Sequence, residues 1–160
     1  MQDKDTSEFN FSYLPAQVAA FFADALGCYR HELFQAFAAM CRCTIQATCD
    51  DLGEGTKLKL FDQVEEIANL ADIDDHAHRN LRNILFDTDT SSIPEQLDRE
   101  TAAVLLETIK DVLYQSYIRR ELLRKKLKMR RFFAAQSDQE AANALEDPKI
   151  FPIKTSTGND

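Results

Sequence analysis

The densest chemistry in the sequence lies at residues 119–131, RRELLRKKLKMRR. Arg119, Arg120, Arg124, Lys125, Lys126, Lys128, Arg130 and Arg131 stand there with Glu121 as the only acid, a local charge of +7. The other 147 residues hold 11 basic and 26 acidic groups, or −15. Cations at that density can neutralise phosphates, with an affinity that falls steeply as salt rises, or can meet an acidic protein surface. Leu122, Leu123, Leu127, Met129, Phe132 and Phe133 interleave with the bases. Wound as a helix, the segment therefore has a narrow apolar stripe of the kind that pairs with another protomer. A basic helix that is only solvated, or paired with its own protein, is the third reading. No aromatic residue lies between Arg119 and Arg131, whereas single-strand binders stack bases on aromatic rings. The acidic remainder also repels nucleic acid. A protein partner is accordingly expected ahead of a nucleic acid.

Other reactive side chains are less concentrated. His31, His76 and His78 are the only histidines. His76 and His78 are two apart and diverge on a helix, so they are expected as surface residues rather than as metal ligands. Glu65, Glu66, Asp72, Asp74 and Asp75 form an acidic run without calcium-loop spacing, read as a solvated face. Cys28, Cys41, Cys43 and Cys49 show no CxxC and no Cys–His zinc pattern. Four reduced thiols in or near a core are expected, as in a cytoplasmic protein. Glu107 and Lys110 resemble a nuclease ExK fragment, but no strand scaffold accompanies them. No glycine-rich phosphate loop is present. Neither a metal nor a cofactor is expected.

These residues need long helices to position them. Gly and Pro number 4 each among 160 residues, too few for the tight turns of a sandwich or barrel. Apolar residues recur at three- and four-residue steps in five stretches. The first helix is expected from Pro15 to Leu26 and the second from His31 to Leu52, stopped by Gly53 and Gly55. The third spans Lys57 to Leu70. A fourth, capped by Asp72 or Asp74, ends near Phe86. DTDTSSIPEQ (87–96) is a loop by composition. The fifth helix begins near Asp98 and meets no helix breaker before Ala135. At 1.5 Å per residue it is about 57 Å long, against about 35 Å at most for the others. No apolar run approaches the roughly 20 residues needed to cross a bilayer, and no signal pattern opens the chain, so no membrane association is expected.

Within this layout the stretch LPAQVAAFFADALGCYRHELFQAFAAMCRCTIQATCDDLG (14–53), the later HRNLRNILFD (78–87), a loop and a long amphipathic helix follow in order. Over residues 14–118 the chain resembles a bacterial domain-of-unknown-function family within the HEPN superfamily of helical bundles. In that family a Pro opens the first helix, and an Arg followed closely by a Glu lies on the second. An Arg-x-x-Gly-Asn-x-x-x-His signature closes the fourth. Arg42 matches the second-helix Arg, while Gln46 stands where Glu is usual. Arg79 and Asn83 match the signature, Arg82 replaces its Gly, and Asp87 stands at its His. HEPN ribonucleases cut RNA without metal, using a His at the 2′-hydroxyl and an Arg on the phosphate. Here no His follows Arg79, and Asp cannot supply the proton shuttling of an imidazole near neutral pH. The resemblance implies a HEPN-type bundle, and the missing His argues against its nuclease activity.

Two roles remain for Arg42, Gln46, Arg79, Arg82, Asn83 and Asp87. One is a polar groove for a nucleotide or RNA phosphate. The other is a buried Arg–Asn–Asp network that locks the second helix to the fourth, with the Arg42 guanidinium largely buried near Asn83 or Asp87. The expected protein is an all-α, up-and-down bundle of about five helices with a long C-terminal helix. Residues 1–13 form a flexible N-terminal segment, 14–118 the bundle, 119–136 the basic extension, and 137–160 a tail that is partly disordered. Its expected function is that of a non-catalytic HEPN-like interaction module, a homodimer engaging a partner protein or nucleic acid. The rival is a divergent metal-independent ribonuclease of toxin or defence type.

Overall fold

A computed structural model describes residues 9–146. Those residues are all-α, with six α-helices and no strand among them, and the first five helices form a bundle. The helices are α1 (Ala16–Arg30), α2 (Phe34–Leu52), α3 (Thr56–Leu70), α4 (Asp75–Phe86), α5 (Arg99–Leu113) and α6 (Arg119–Glu146). A single π turn, Tyr114–Ile118, joins α5 to α6 without a break. The chain divides into one unit ending at Arg120 and a second beginning at Glu121.

In the first unit α2 is the central element, packed against α1, α3, α4 and α5. Its inward face, Phe37, Ala38, Cys41, Thr44, Ile45 and Thr48, is closed to solvent. Two threonines sit there because their hydroxyls have local partners. Thr44 Oγ1 donates to Met40 O at 2.8 Å, and Thr48 Oγ1 to Thr44 O at 2.8 Å. Each back-bond satisfies a buried hydroxyl without help from another helix. Phe22 from α1 and Leu81 and Ile84 from α4 fill the core around this face, together with Leu105 and Ile109 from α5. The N-terminal segment expected to be flexible contributes as well. Asn10 caps a short turn at Phe11–Tyr13, and the Phe9 and Phe11 rings lie 4.9 and 5.6 Å from that of Phe22. Residues 1–8 of that segment lie outside the described residues.

The helix ends follow identifiable chemistry. Gly53 and Gly55 both take positive φ, 84° and 80°, and turn the chain from α2 into α3. The first helix, expected to break at Gly27, runs on to Arg30. Its stop is a six-to-one, five-to-two pair of bonds, from Leu33 N to Cys28 O at 2.9 Å and from Glu32 N to Tyr29 O at 3.0 Å. The residue that must turn left-handed in this motif is Glu32, at φ 59°. Asp74 caps α4 by accepting from the backbone N–H groups of His76 and Ala77, both at 2.8 Å. Asp98 caps α5 by accepting from Thr101 N at 2.6 Å.

The long last helix differs from expectation in two ways. It runs past Ala135 without interruption to Glu146, so the first part of the tail, where one more short helix was possible, continues the same helix. Residues 147–160 lie outside the described residues. It is also not uniformly α-helical. Buried pairs recur along α5 at 101/102, 105/106, 108/109 and 112/113, and next at 117/118. The earlier steps are three or four residues and the last is five, which is one π turn. The wide turn brings both Tyr117 and Ile118 inward, and the Tyr117 hydroxyl donates to Asp51 Oδ2 at 3.0 Å.

Two outcomes follow from the caps. Glu32→Gly should raise stability by about 0.5–1 kcal/mol, because glycine meets no steric penalty at that φ. Chemical denaturation measures it. Asp98 is held below the usual carboxylate range, chiefly by the bonds from Thr101. Its contribution is therefore fully present above the unfolded value of about 3.9 and is lost as pH falls through the lower folded value. Asp98→Asn should flatten the loss of melting temperature on acidification, whereas Asp98→Ala should cost about 1 kcal/mol at neutral pH.

Candidate functional site

Arg42 lies half-buried on α2 and reaches the far end of α4. Its Nε donates to Ile84 O at 2.7 Å and its Nη2 to Asn83 O at 3.0 Å. Nη2 also donates to Ser92 Oγ at 2.7 Å, and Nη1 donates to Asp89 O at 2.8 Å. The Ser92 hydroxyl donates onward to Asp89 O at 2.6 Å. Ile84 and Asn83 belong to the last turn of α4, where carbonyls run out of partners within the helix, and Asn83 O also accepts from Asp87 N at 3.2 Å. A guanidinium placed there satisfies them and meets the negative end of the helix dipole.

The expected reach to Asn83 is therefore present, but through a different chemistry. No carboxylate receives Arg42; all four acceptors are neutral, and Asn83 contributes its backbone carbonyl rather than its side chain. Asp87 is exposed and turned into the following loop, where its Oδ1 accepts from Asp89 N at 3.1 Å. Asp89 Oδ1 in turn accepts from Ser91 N at 2.9 Å. Hydrogen bonds from Ser91 hold the Asp89 carboxyl below its ordinary value, and the charge of Arg42 adds to them.

The other two arginines do not join this centre. Arg79 is exposed and its Nε donates to Asp75 O of its own helix at 3.2 Å. Arg82 Nε lies 3.1 Å from Glu65 Oε1, and its guanidinium carbon stands 4.9 Å from the centre of the Phe61 ring. His78 Nε2 lies 3.0 Å from Glu65 Oε2. The approaches to Glu65 are close but too oblique for aligned hydrogen bonds. His78, expected at the surface, is thus half-buried and packed on α3. The spacing of His78 and Arg82 carried the missing signal: residues four apart share a helix face, so both can reach one acid on the neighbouring helix. Glu65 belongs to that contact rather than to a solvated acidic face. Among the described residues no three His, Cys, Asp or Glu side chains form a metal-holding group.

Arg42, Gln46 and Asp87 do line one groove of about 380 Å³, together with Phe21, Cys43, Cys49, Lys57 and Phe86. Gln46 is exposed and donates to Asp50 Oδ1 at 2.9 Å. No histidine borders the groove. Of its thiols Cys49 is a poor nucleophile: burial raises it, Asp50 adds to the rise, and Lys57 opposes it. Cys41, behind the groove wall, is fully buried and its thiol is raised further, again chiefly by burial. All four cysteines are free. The Tyr117 phenol is raised above its usual range, first by burial and then by Asp51, which keeps it protonated. Lys110 Nζ pairs with Glu107 at 3.0 Å along the surface of α5, with no strand beneath it.

The basic candidates all fall on one helix. Arg119, Arg120, Arg124, Lys125, Lys126, Lys128, Arg130 and Arg131 occupy the first half of α6, and no residue of α6 is buried. Glu121 pairs with Arg124 one turn away. Leu122, Leu123, Leu127, Met129, Phe132 and Phe133 are between 40% and 66% exposed. No helix among the described residues is long and apolar enough to cross a membrane.

Compared with family models, curated proteins and solved structures, the chain matches none of them.

Removing the Arg42 side chain takes a donor from two helix-end carbonyls, a loop carbonyl and a hydroxyl, although Asn83 O keeps Asp87 N and Asp89 O keeps the N–H and hydroxyl of Ser92. Arg42→Ala should destabilise by about 2–3 kcal/mol in urea denaturation, the range for hydrogen bonds to a charged group. Arg42→Lys should recover less than half, since a point charge on a flexible stem cannot serve acceptors in three directions at once. An unchanged midpoint for Arg42→Ala would remove Arg42 from its structural role.

Proposed function

We propose that this protein is a non-catalytic, HEPN-like helical interaction module of the cytoplasm, a homodimer that engages its partners through α6. The observation that carries the reading is the surface of α6. Six large apolar side chains stand 40–66% exposed along a helix that buries none of its residues. Helices gain most of their stability by burying an apolar face, and an exposed apolar stripe of this extent marks an interaction surface. The HEPN-like assignment rests on the layout of residues 14–118 and on the match at Arg42.

Nucleic acid is the other partner that the eight basic residues suit, but a protein partner is favoured. The aromatic residues of α6 lie at Phe132 and Phe133, beyond the bases rather than among them, and the rest of the chain carries −15. The ribonuclease alternative has less support. Its three candidates, Arg79, Arg82 and Asp87, point to three different sets of partners.

Light scattering should give twice the 18.2 kDa chain mass at tens of micromolar, and Leu123→Asp or Phe132→Asp should return the monomer. A monomeric wild-type protein would overturn the dimer. RNA binding that weakens by about 10³-fold between 50 and 200 mM salt, and disappears on reversal of Lys125, Lys126 and Lys128 to Glu, would make nucleic acid the partner instead. RNA cleavage in chelator that is lost in Arg79→Ala would establish the ribonuclease.

A further inference from the structure

We infer that two copies of this chain pair through α6 in antiparallel orientation, each basic half lying along the acidic half of the other. This rests on the homodimer proposed above and adds its geometry.

The charge of α6 is segregated. Residues 119–131 carry +7, whereas residues 132–146 carry Asp138, Glu140 and Glu146 and no base. One helical turn from Asp138 and Glu140 in either direction the positions hold Ala, Gln, Ser and Asn, so no cation on the same helix reaches these two acids. The described partner of Glu140 is Gln136, whose Nε2 donates to Oε1 at 3.3 Å. A parallel pair would set +7 against +7. An antiparallel pair sets each basic half against three acids, and charges flanking an apolar seam are what select helix orientation.

Spacing fixes the alignment. The bases Arg120, Lys126 and Lys128 are separated by six and two residues, and the acids Asp138, Glu140 and Glu146 by two and six. The two sets mirror each other about Phe133. An antiparallel crossing at Phe133 therefore brings Lys128 level with Asp138, Lys126 with Glu140, and Arg120 with Glu146. The apolar residues agree with the same crossing. Leu127, Ala134 and Ala141 recur every seven residues along one line of the helix, with Leu123 and Leu145 one turn beyond on either flank and Arg120 on the same line at its basic end. Leu123, Leu127 and Leu145 are 55%, 53% and 87% exposed. With the crossing at Phe133, Leu123 of one copy falls between Ala141 and Leu145 of the other, and Leu127 between Ala134 and Ala141. Large side chains of the basic half thus seat against small ones of the acidic half. A parallel pair would match leucine with leucine and leave the alanines facing each other across a gap.

Cysteine cross-linking of the full chain reads the orientation, with wild-type protein oxidised alongside as the control for the native thiols. A mixture of Leu123→Cys and Ala141→Cys chains should form a disulfide-linked dimer under mild oxidation, and Leu123→Cys alone should not exceed the control. Charge exchange supplies a second readout. Lys126→Glu with Lys128→Glu should weaken the dimer at least tenfold in sedimentation, as should Asp138→Lys with Glu140→Lys. All four together should restore it to within about threefold. A dimer in which Leu123→Cys links to itself, or in which the four-fold exchange stays as weak as either pair, overturns the antiparallel arrangement while leaving the homodimer standing. A wild-type chain that never dimerises overturns both.

Discussion

The bundle depends on one guanidinium. Arg42 is the point at which α2, the end of α4 and the loop that leads to α5 are held together. Carbonyls at a helix end have no partner within their own helix and need a donor. Arginine can supply several donors in one plane, which is why a single residue serves Ile84, Asn83, Asp89 and Ser92 at once. Because the acceptors are neutral, the charge gains from the helix dipole and keeps some access to water, and there is no buried carboxylate to desolvate. A polar groove for a phosphate and a network locking the second helix to the fourth were the two roles open to Arg42. In this chain the guanidinium is already engaged four times over, and the adjacent groove has no imidazole.

The other constraint acts along α5. A helix that keeps strict α geometry carries its buried face past the core as it lengthens, and the five-residue step between Val112–Leu113 and Tyr117–Ile118 resets it. Both members of the last pair stay inside, and the Tyr117 hydroxyl finds Asp51. Asp111 sits just before this wide turn and accepts from Gln63 of α3 at 2.9 Å and from Gln115 at 2.8 Å. The polar bonds around the π turn thus tie α5 to both α2 and α3.

Beyond Ile118 the rules of the sequence change. Up to that point apolar residues alternate with polar ones so as to bury one face, and α6 buries nothing. Apart from Glu121, which pairs with Arg124, its acids lie beyond its bases in a separate half.

The sequence by itself determined the elements and most of their ends. Apolar steps of three and four residues marked the five helical stretches, Gly53 and Gly55 marked the turn after α2, and aspartates marked the starts of α4 and α5, because each of these signals acts within a few residues. Tertiary packing decided what local signals do not encode. Gly27 stays helical and Glu32 takes the left-handed turn, since the stop depends on where Leu33 must enter the next helix rather than on which residue is most permissive. His78 turned to Glu65, and Arg42 to main-chain carbonyls, because a long side chain is directed by the acceptors that a neighbouring helix brings within reach. The six residues first grouped around Arg42 and Arg79 separated for the same reason, with Arg82 on Glu65 and Arg79 on a carbonyl of its own helix. Positions along a helix state only which face a residue occupies, and the packing of α3 and α2 against α4 determines what that face meets.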